Sequence, residues 1–357
     1  MSQTKRIEFI DALRGFTMIL VVLNHIETQG FVNEPSIIGR ILMTFRMPLF
    51  FFISGYIAYK ANKVWNLSNY ILDCLKKIKV QLIPTLVFGL SFAYLIDKSN
   101  IITFFTDVHK LGYWFTLTLL SMFVIYYTIS IVFTKITNAS IDNNKGLYAI
   151  VLIGLCGVLV IFDKLFLKIF PEQILLYNAL SLSQVASYMP FFVCGIIASS
   201  YKQRFENIIN NQYAITSVIL MFIVITTSRI LLLQYTGILT PKIELCVKLA
   251  MGINGLLGIV IVYKFFQSNQ ITFSQNNRLG RGLQYIGRRT LDIYVLHFFL
   301  IPDLSYLKEY MGSSSTVVGL FTCLIVALMV VAVCLVISSV LRLSPILSQY
   351  LFGVKQK

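Results

Sequence analysis

Two ionisable side chains, Arg14 and His25, interrupt the first long apolar segment of the sequence. A helix advances about 100° per residue, so their spacing returns both side chains to nearly the same face, roughly 16 Å apart along the axis. Arginine binds anionic oxygen groups, and histidine exchanges a proton near neutral pH. Asp11 lies one turn before Arg14 and can pair with it. Because ionisable groups inside a membrane segment are costly, this segment is the first candidate for a functional site.

The composition indicates what kind of element carries these residues. The chain has 357 residues, of which 57% are hydrophobic and 13% charged, and its mean hydropathy is +0.78. So few charges could not cover a soluble domain of this size. Apolar runs long enough to cross a bilayer recur along the whole chain, without the alternating polarity of β-barrel strands. We therefore predict an all-α polytopic membrane protein.

Ten membrane spans are expected, and the basic residues orient them. The net charge of +15 is distributed between hydrophobic spans, not gathered on a soluble basic face, so we expect no nucleic-acid partner. Roughly twice as many Lys and Arg residues flank one side as the other, which predicts that both termini are cytoplasmic. The first span is read as uncleaved and not as a signal peptide. The spans are expected at about 9–28, 41–59, 78–97, 113–135, 146–168, 183–201, 212–234, 245–267, 285–302 and 314–341.

This orientation assigns a depth to the polar residues within the spans. Arg14 is expected in the inner half of the first span and His25 towards its outer end. Pro48 should kink the second span, while Ser54-Gly55 permits close approach by another helix or a second break. The same reasoning places Arg46 and His297 in outer halves and Arg288 and Arg289 at an inner end.

Several stretches together resemble the membrane acyltransferase-3 family, the O-acyltransferases that modify bacterial surface glycans. They follow the family order, and they are Asp11-x-x-Arg14 with Arg14-x10-His25, Phe45-Arg46-Met47-Pro48 through Ser54-Gly55, Tyr113-Trp114-Phe115, Tyr188 to Gly195, and Gly287-Arg288-Arg289 through His297. The resemblance implies a single integral membrane acyltransferase domain over residues 1–357, in the stand-alone form without a soluble hydrolase domain. It also implies a multi-pass protein of the bacterial cytoplasmic membrane.

The resemblance further implies an acyl-CoA co-substrate, most often acetyl-CoA, and a hydroxyl acceptor on a surface polysaccharide or lipid-linked sugar. We expect no permanently bound cofactor and, since no metal-ligand spacing occurs, no metal. His25 is the expected general base, ahead of a covalent acyl-histidine, and Arg46 would stabilise the oxyanion or hold the acceptor. With Asp11 beside it, Arg14 is the donor-side candidate. The CoA phosphates would bind to Arg14, Arg288, Arg289, Lys76 and Lys77, and the acceptor would contact Tyr113, Trp114, Tyr294 and His297.

Each assignment has a structural alternative. Arg14 could form an internal salt bridge with Asp11 or Asp292, and Arg46 could pair with Glu27. The lysines could serve only as a topology signal, and Trp114 could be an interfacial anchor. An alternative function is a transporter that exports polysaccharide or a small metabolite, a class in which broken helices and inverted repeats are common. Membrane lipids are expected partners in either case, and homo-oligomer formation is left open.

Overall fold

A computed structural model of the chain describes residues 7–235, 241–313 and 316–353. In these ranges all regular secondary structure is helical, which confirms the all-α prediction. The helices are α1 (Glu8–His25), α2 (Ile37–Ala58), α3 (Leu67–Lys77), α4 (Ile83–Leu95), α5 (Ile101–Thr106), α6 (Trp114–Thr137), α7 (Lys145–Ile169), α8 (Ile174–Ala179), α9 (Leu182–Ser200), α10 (Lys202–Asn210), α11 (Gln212–Tyr235), α12 (Pro241–Ser268), α13 (Arg278–Arg288), α14 (Thr290–Leu300), α15 (Lys308–Ser313), α16 (Thr316–Leu341) and α17 (Pro345–Phe352).

Nine segments within the described ranges are long and apolar enough to cross a membrane. They are Glu8–Gly30, Ile37–Ala58, Leu67–Leu95, Trp114–Thr137, Lys145–Phe166, Ile174–Ser200, Gln212–Leu231, Leu249–Ser268 and Val317–Leu341. Each overlaps one of the expected spans. The third and sixth begin earlier than expected, because α3 and α8 precede their apolar parts. These segments establish a multi-pass helical membrane protein.

The ninth expected span differs from the prediction of a single helix over 285–302. The chain forms α13, which is capped by Asn277 accepting from the Leu279 amide at 2.9 Å, and then breaks at Arg289. α14 follows with 11 residues, most of them apolar. Its length of about 16 Å is short of the roughly 30 Å hydrocarbon core. The physical reason is the polar composition of α13, whose three arginines and one glutamine favour an amphipathic helix.

Two prolines lie inside helices without ending them. α2 continues through Pro48, and α9 continues through Pro190. Pro84 stands in the first turn of α4, where its missing amide hydrogen costs little. A wide turn of five residues, Ile78–Leu82, joins α3 to α4 and supplies the irregular backbone at that point.

The chain folds into two compact units. The first comprises the described residues of Met1–Ile53, Tyr201–Thr290 and Ile301–Ala332, and the second those of Ser54–Ser200, Leu291–Leu300 and Val333–Lys357. Whether the chain acts as a single domain remains a prediction.

The core of the first unit surrounds α1 and α12. Tyr263 of α12 is fully buried, and its ring lies 5.6 Å from Phe9, 6.1 Å from Phe52 and 5.2 Å from Phe205. In the apolar window of α1, 72% of the residues are buried, against 6% in that of α11. Protein therefore encloses most of α1, whereas Glu8 at its start is exposed.

In the second unit, α2 ends against α9. A Cβ atom added to Gly55 would lie 1.9 Å from the carbonyl oxygen of Phe192, so the two backbones touch. This is the close approach that the Ser54-Gly55 pair permits. α2 is continuous there, so no second break occurs.

A loop carboxylate links the segment after α2 to the start of α7 in the second unit. Asp142, between α6 and α7, accepts hydrogen bonds from the Tyr59 hydroxyl and from the Asn62 amide at 2.6 Å, and it lies 3.4 Å from the Lys145 ammonium. Partial burial opposes its charge, but these hydrogen bonds outweigh burial and lower the pKa of Asp142 below the ordinary 3.8.

Candidate active site

Two glycines bring α1 and α13 into backbone contact in the first unit. A Cβ atom added to Gly15 would lie 2.0 Å from the carbonyl oxygen of Leu283, and one added to Gly287 would lie 1.8 Å from that of Asp11. No other residue type leaves room for this approach. Each glycine adjoins an arginine in the sequence, so the contact determines where these arginines lie.

The guanidinium of Arg14 is held across this contact. Its Nη2 atom donates to the Thr290 hydroxyl at 2.9 Å. Asp11 and Arg288 approach across the same contact, with 4.0 Å between Oδ2 and Nε. Asp11, Arg14 and Arg288 therefore form one polar cluster at the α13 contact, which includes two of the three arginines expected to bind the donor.

Arg288 and Arg289 occupy the end of α13. Arg288 Nε donates to the Gln284 carbonyl oxygen at 3.2 Å, and its side chain remains 38% exposed. The guanidinium carbon of Arg289 lies 5.0 Å from the ring centre of Tyr285. Because Arg288 is partly exposed, its guanidinium is accessible to an anion.

His25 is the last residue of α1 and shares one uninterrupted helix with Arg14. Eleven helical steps of about 1.5 Å separate them by roughly 16 Å along the axis. After His25 the helix widens into a five-residue π-type turn, Ile26–Gly30. Such turns occur often at functional sites. The His25 side chain is half-buried, with its Nδ1 atom enclosed by protein.

The wide turn also connects the end of α1 to the start of α2. Glu27 is buried, and its Oε1 atom accepts from the Ser36 amide at 2.7 Å. The Ser36 hydroxyl accepts from the Gly39 amide at 3.0 Å. A Cβ atom added to Gly39 would lie 2.4 Å from Glu27 Oε2. This arrangement anchors the beginning of α2, the helix on which Arg46 lies.

In the second unit, two tyrosines join α14 to the start of α6. The Tyr294 hydroxyl donates to the Gly112 carbonyl oxygen at 2.9 Å and accepts from the Phe115 amide at 3.1 Å. The Tyr113 hydroxyl donates to the Val295 carbonyl oxygen at 3.0 Å. Both hydroxyls are committed to backbone, so these residues position the loop and helix that carry their neighbours.

Trp114 and His297 are placed by these contacts. Trp114 stacks on Tyr188, with 5.4 Å between ring centres and 26° between planes. His297 is fully buried, and its Nδ1 atom lies 2.8 Å from the Tyr294 carbonyl oxygen. A carbonyl oxygen only accepts, so Nδ1 carries the hydrogen and Nε2 presents a lone pair. Tyr113, Trp114, Tyr294 and His297, which are expected to contact the acceptor, all lie in this unit, and their role in binding it stays a prediction.

Asp292 has a partner that the sequence analysis did not identify. Arg342 places its Nε and Nη2 atoms each 2.9 Å from the Asp292 carboxylate, and the Ser338 hydroxyl donates to the same carboxylate. In the sequence analysis Asp292 is considered only as a partner of Arg14. The i, i+4 spacing of Ser338 and Arg342 on and just after an apolar helix was the available signal.

The two lysines proposed for the donor lie in the last turn of α3. Lys76 is exposed, and the Nζ atom of Lys77 lies 3.4 Å from the ring centre of Phe123. Their position also suits the carbonyl end of a helix, which favours basic side chains. A role in binding CoA remains a prediction for both.

Comparison with known proteins gives one match. The family model described as "Acyltransferase domain", of the acyltransferase-3 family, matches residues 7–339 and so covers most of the chain. Neither the curated proteins nor the solved structures contain a significant match.

Proposed function

Because the chain belongs to the acyltransferase-3 family and is a multi-pass membrane acyltransferase, we propose that acyl-CoA is its donor and a sugar hydroxyl its acceptor. The acyl group is acetyl, and the acceptor is a surface polysaccharide or lipid-linked sugar. The protein works in the cytoplasmic membrane of a bacterium. One observation carries this proposal: Arg14 and His25 lie on one largely buried helix, α1, with Arg14 hydrogen-bonded to Thr290 at the start of α14.

The reaction proceeds by direct transfer. The His25 imidazole removes the proton from the acceptor hydroxyl, and the oxygen attacks the thioester carbon. The guanidinium of Arg46 stabilises the oxyanion. When this intermediate collapses, the carbon–sulfur bond breaks, and the imidazolium returns its proton to the departing CoA sulfur. The products are the acetyl ester and CoA.

The donor lies along α1. The roughly 16 Å between Arg14 and His25 corresponds to the reach of a pantetheine arm, so phosphates near Arg14 would bring the thioester to His25. Arg288, beside Asp11, is exposed enough to bind a phosphate with its guanidinium fork, and Arg289 follows it in sequence. Lys76 and Lys77 are the other basic residues that we assign to the CoA phosphates.

The acceptor binds beside the Trp114–Tyr188 stack, whose aromatic surface suits the apolar face of a sugar ring. Tyr113 and Tyr294 keep this surface in place through their backbone hydrogen bonds. His297, on the same helix as Tyr294, is assigned to the same acceptor site.

The test is acetyl transfer by the purified full-length protein in nanodiscs. Radiolabelled acetyl-CoA is the donor, envelope glycan from cells lacking this gene is the acceptor, and release of CoA thiol is measured in parallel. His25→Ala should lower the rate by about 10²- to 10⁴-fold. The matched control is His109→Ala, in an exposed loop, which should keep the wild-type rate.

Arg14→Gln distinguishes a donor role from a structural one. It should raise KM for acetyl-CoA more than it lowers kcat, and Arg14→Lys should recover part of the loss. Full activity of His25→Ala would remove the base assignment. Glycan export that proceeds without any acyl donor would favour the transporter instead.

A further inference from the structure

A second basic site lies in the first unit, apart from the residues given roles above. Arg229 is near the end of α11 and half-buried. Its Nε and Nη1 atoms are enclosed, and within the described ranges they have no hydrogen-bond partner. An arginine near the end of a span usually extends towards water or headgroups. Here two of the three guanidinium nitrogens are instead enclosed, and neither has a hydrogen-bond acceptor among the described residues.

A buried amide lies on the neighbouring helix. Asn254 of α12 is fully buried, and its Nδ2 atom donates to the Thr226 hydroxyl at 2.8 Å. Its other polar atom, Oδ1, has no partner among the described residues. Rotation of the amide by 180° would exchange the two atoms and present an N–H donor instead. Thr226 precedes Arg229 by one helical turn, so Asn254 and Arg229 border the same face of α11.

A second arginine, Arg40 of α2, acts electrostatically on Arg229. Two like charges in an apolar environment repel each other strongly, and an anion bound between them offsets this repulsion. Two carboxylates precede Arg40 in this part of the chain: Glu34 is exposed, and the Oε1 atom of Glu27 is already bonded to the Ser36 amide. Among the described residues, neither carboxylate forms an ion pair with Arg40 or Arg229.

The surroundings of Arg229 indicate what kind of anion can reach it. Only 6% of the residues in the apolar window of α11 are buried, so most of this helix faces acyl chains in a membrane. A soluble anion would have to cross that apolar surface, whereas the headgroup of a lipid arrives with its tails already in it. Guanidinium groups bind phosphate oxygens through two parallel hydrogen bonds.

We propose that Arg229 and Arg40, together with the Asn254 amide, bind the phosphate of a membrane lipid. This site is distinct from the Arg14–Arg288 cluster proposed for the donor. Two sources share the chemistry: a phospholipid headgroup and the phosphate of a polyprenyl carrier. Binding at this site requires no acyl transfer, so it can be tested separately from the proposed reaction.

The experiment is native mass spectrometry of the delipidated full-length protein in detergent. The probes are phosphatidylglycerol, a polyprenyl phosphate, inorganic phosphate, and diacylglycerol as a lipid without phosphate. Wild-type protein should bind at least one phosphorylated lipid, and Arg229→Gln and Arg40→Gln should weaken that binding about 10- to 100-fold. Arg229→Lys should be intermediate, since it keeps the charge but loses the fork. The matched control, Lys308→Gln, removes an exposed cation from the same unit and should bind like wild type.

The preferred lipid distinguishes the two sources: phosphatidylglycerol indicates a headgroup site, and polyprenyl phosphate indicates a carrier-lipid site. Equal binding by wild type and Arg229→Gln would overturn the proposal, and so would tight binding of inorganic phosphate alone or of diacylglycerol. Thermal unfolding is the second readout. Without lipid, Arg229→Gln should unfold at or above the wild-type temperature, because an unpaired charge is removed, and lipid should stabilise only the wild type. A lower unfolding temperature for the lipid-free variant would show a structural role and overturn the site.

Discussion

Replacing Gly287 by alanine tests the contact that positions Arg14. The new Cβ atom would lie 1.8 Å from the Asp11 carbonyl oxygen and 3.0 Å from the Gly15 amide nitrogen. Both are backbone atoms, so no side-chain rotation relieves the clash. An ordinary carbon–oxygen contact is about 3.3 Å, so α1 and α13 must separate by roughly 1.5 Å at this point. The same displacement would take the Arg14–Thr290 hydrogen bond from 2.9 Å beyond bonding distance.

The expected cost follows from a balance of two effects. Alanine in place of glycine stabilises a helix by about 1 kcal/mol. Overpacking costs about 1–3 kcal/mol, and more where only backbone can move. Gly282 is the matched control, because it lies on the same helix and nothing is within 4 Å of an added Cβ atom. Gly287→Ala should therefore be less stable than Gly282→Ala by about 1–3 kcal/mol or more.

The assay is thermal unfolding of both full-length variants in the same detergent, followed by CoA thiol release. At about 2 °C per kcal/mol, the apparent melting temperatures should differ by roughly 2–6 °C. Gly287→Ala should also raise KM for acetyl-CoA through the displaced Arg14. If the melting temperature of Gly287→Ala equals or exceeds that of Gly282→Ala, the backbone contact between α1 and α13 is wrong.

Three further changes test other contacts. Asp292→Asn should lower the free energy of unfolding by about 3–5 kcal/mol, because the Arg342 guanidinium loses its buried counter-charge. Adding Arg342→Gln should recover part of this loss, and a double variant no more stable than Asp292→Asn would contradict the pairing. The lowered pKa of Asp142 means that its stabilising contribution is complete above its ordinary 3.8 and is lost as the pH falls through the lower folded value. The melting temperature of Asp142→Asn should therefore lie below that of wild type above about pH 5 and converge with it under acid conditions; a gap that widens in acid would refute this. Gly112→Ala should lower the melting temperature of the protein, because Gly112 has φ +101° and an added Cβ atom would lie 2.1 Å from a phenylalanine ring. Gly154→Ala, with open space at its Cβ position, is the control, and equal melting temperatures of the two variants would refute the clash.

Much of the fold could be read from local pattern. Long apolar runs predict membrane helices because each helix satisfies its own backbone hydrogen bonds, whichever helix it later contacts. For the same reason, the placement of Arg14 and His25 on one helix was correct. The single helix over 285–302 was wrong in its bounds, since averaging hydropathy across this stretch hides the change from polar α13 to apolar α14.

The partners of the charged residues depend on packing between segments far apart in the chain. Local spacing shows only that Ser338 and Arg342 share a helix face. That Arg342 pairs with Asp292, and that Thr290 accepts from Arg14, depends on contacts that span tens or hundreds of residues. The sequence by itself determined the helical membrane architecture, the acyltransferase family and the axial spacing of Arg14 and His25. Only the tertiary structure decided that Gly15 and Gly287 are the points of closest approach. The reason is that a glycine lets two helices approach closely only where it faces the other helix, and the packing of the whole chain determines which face that is.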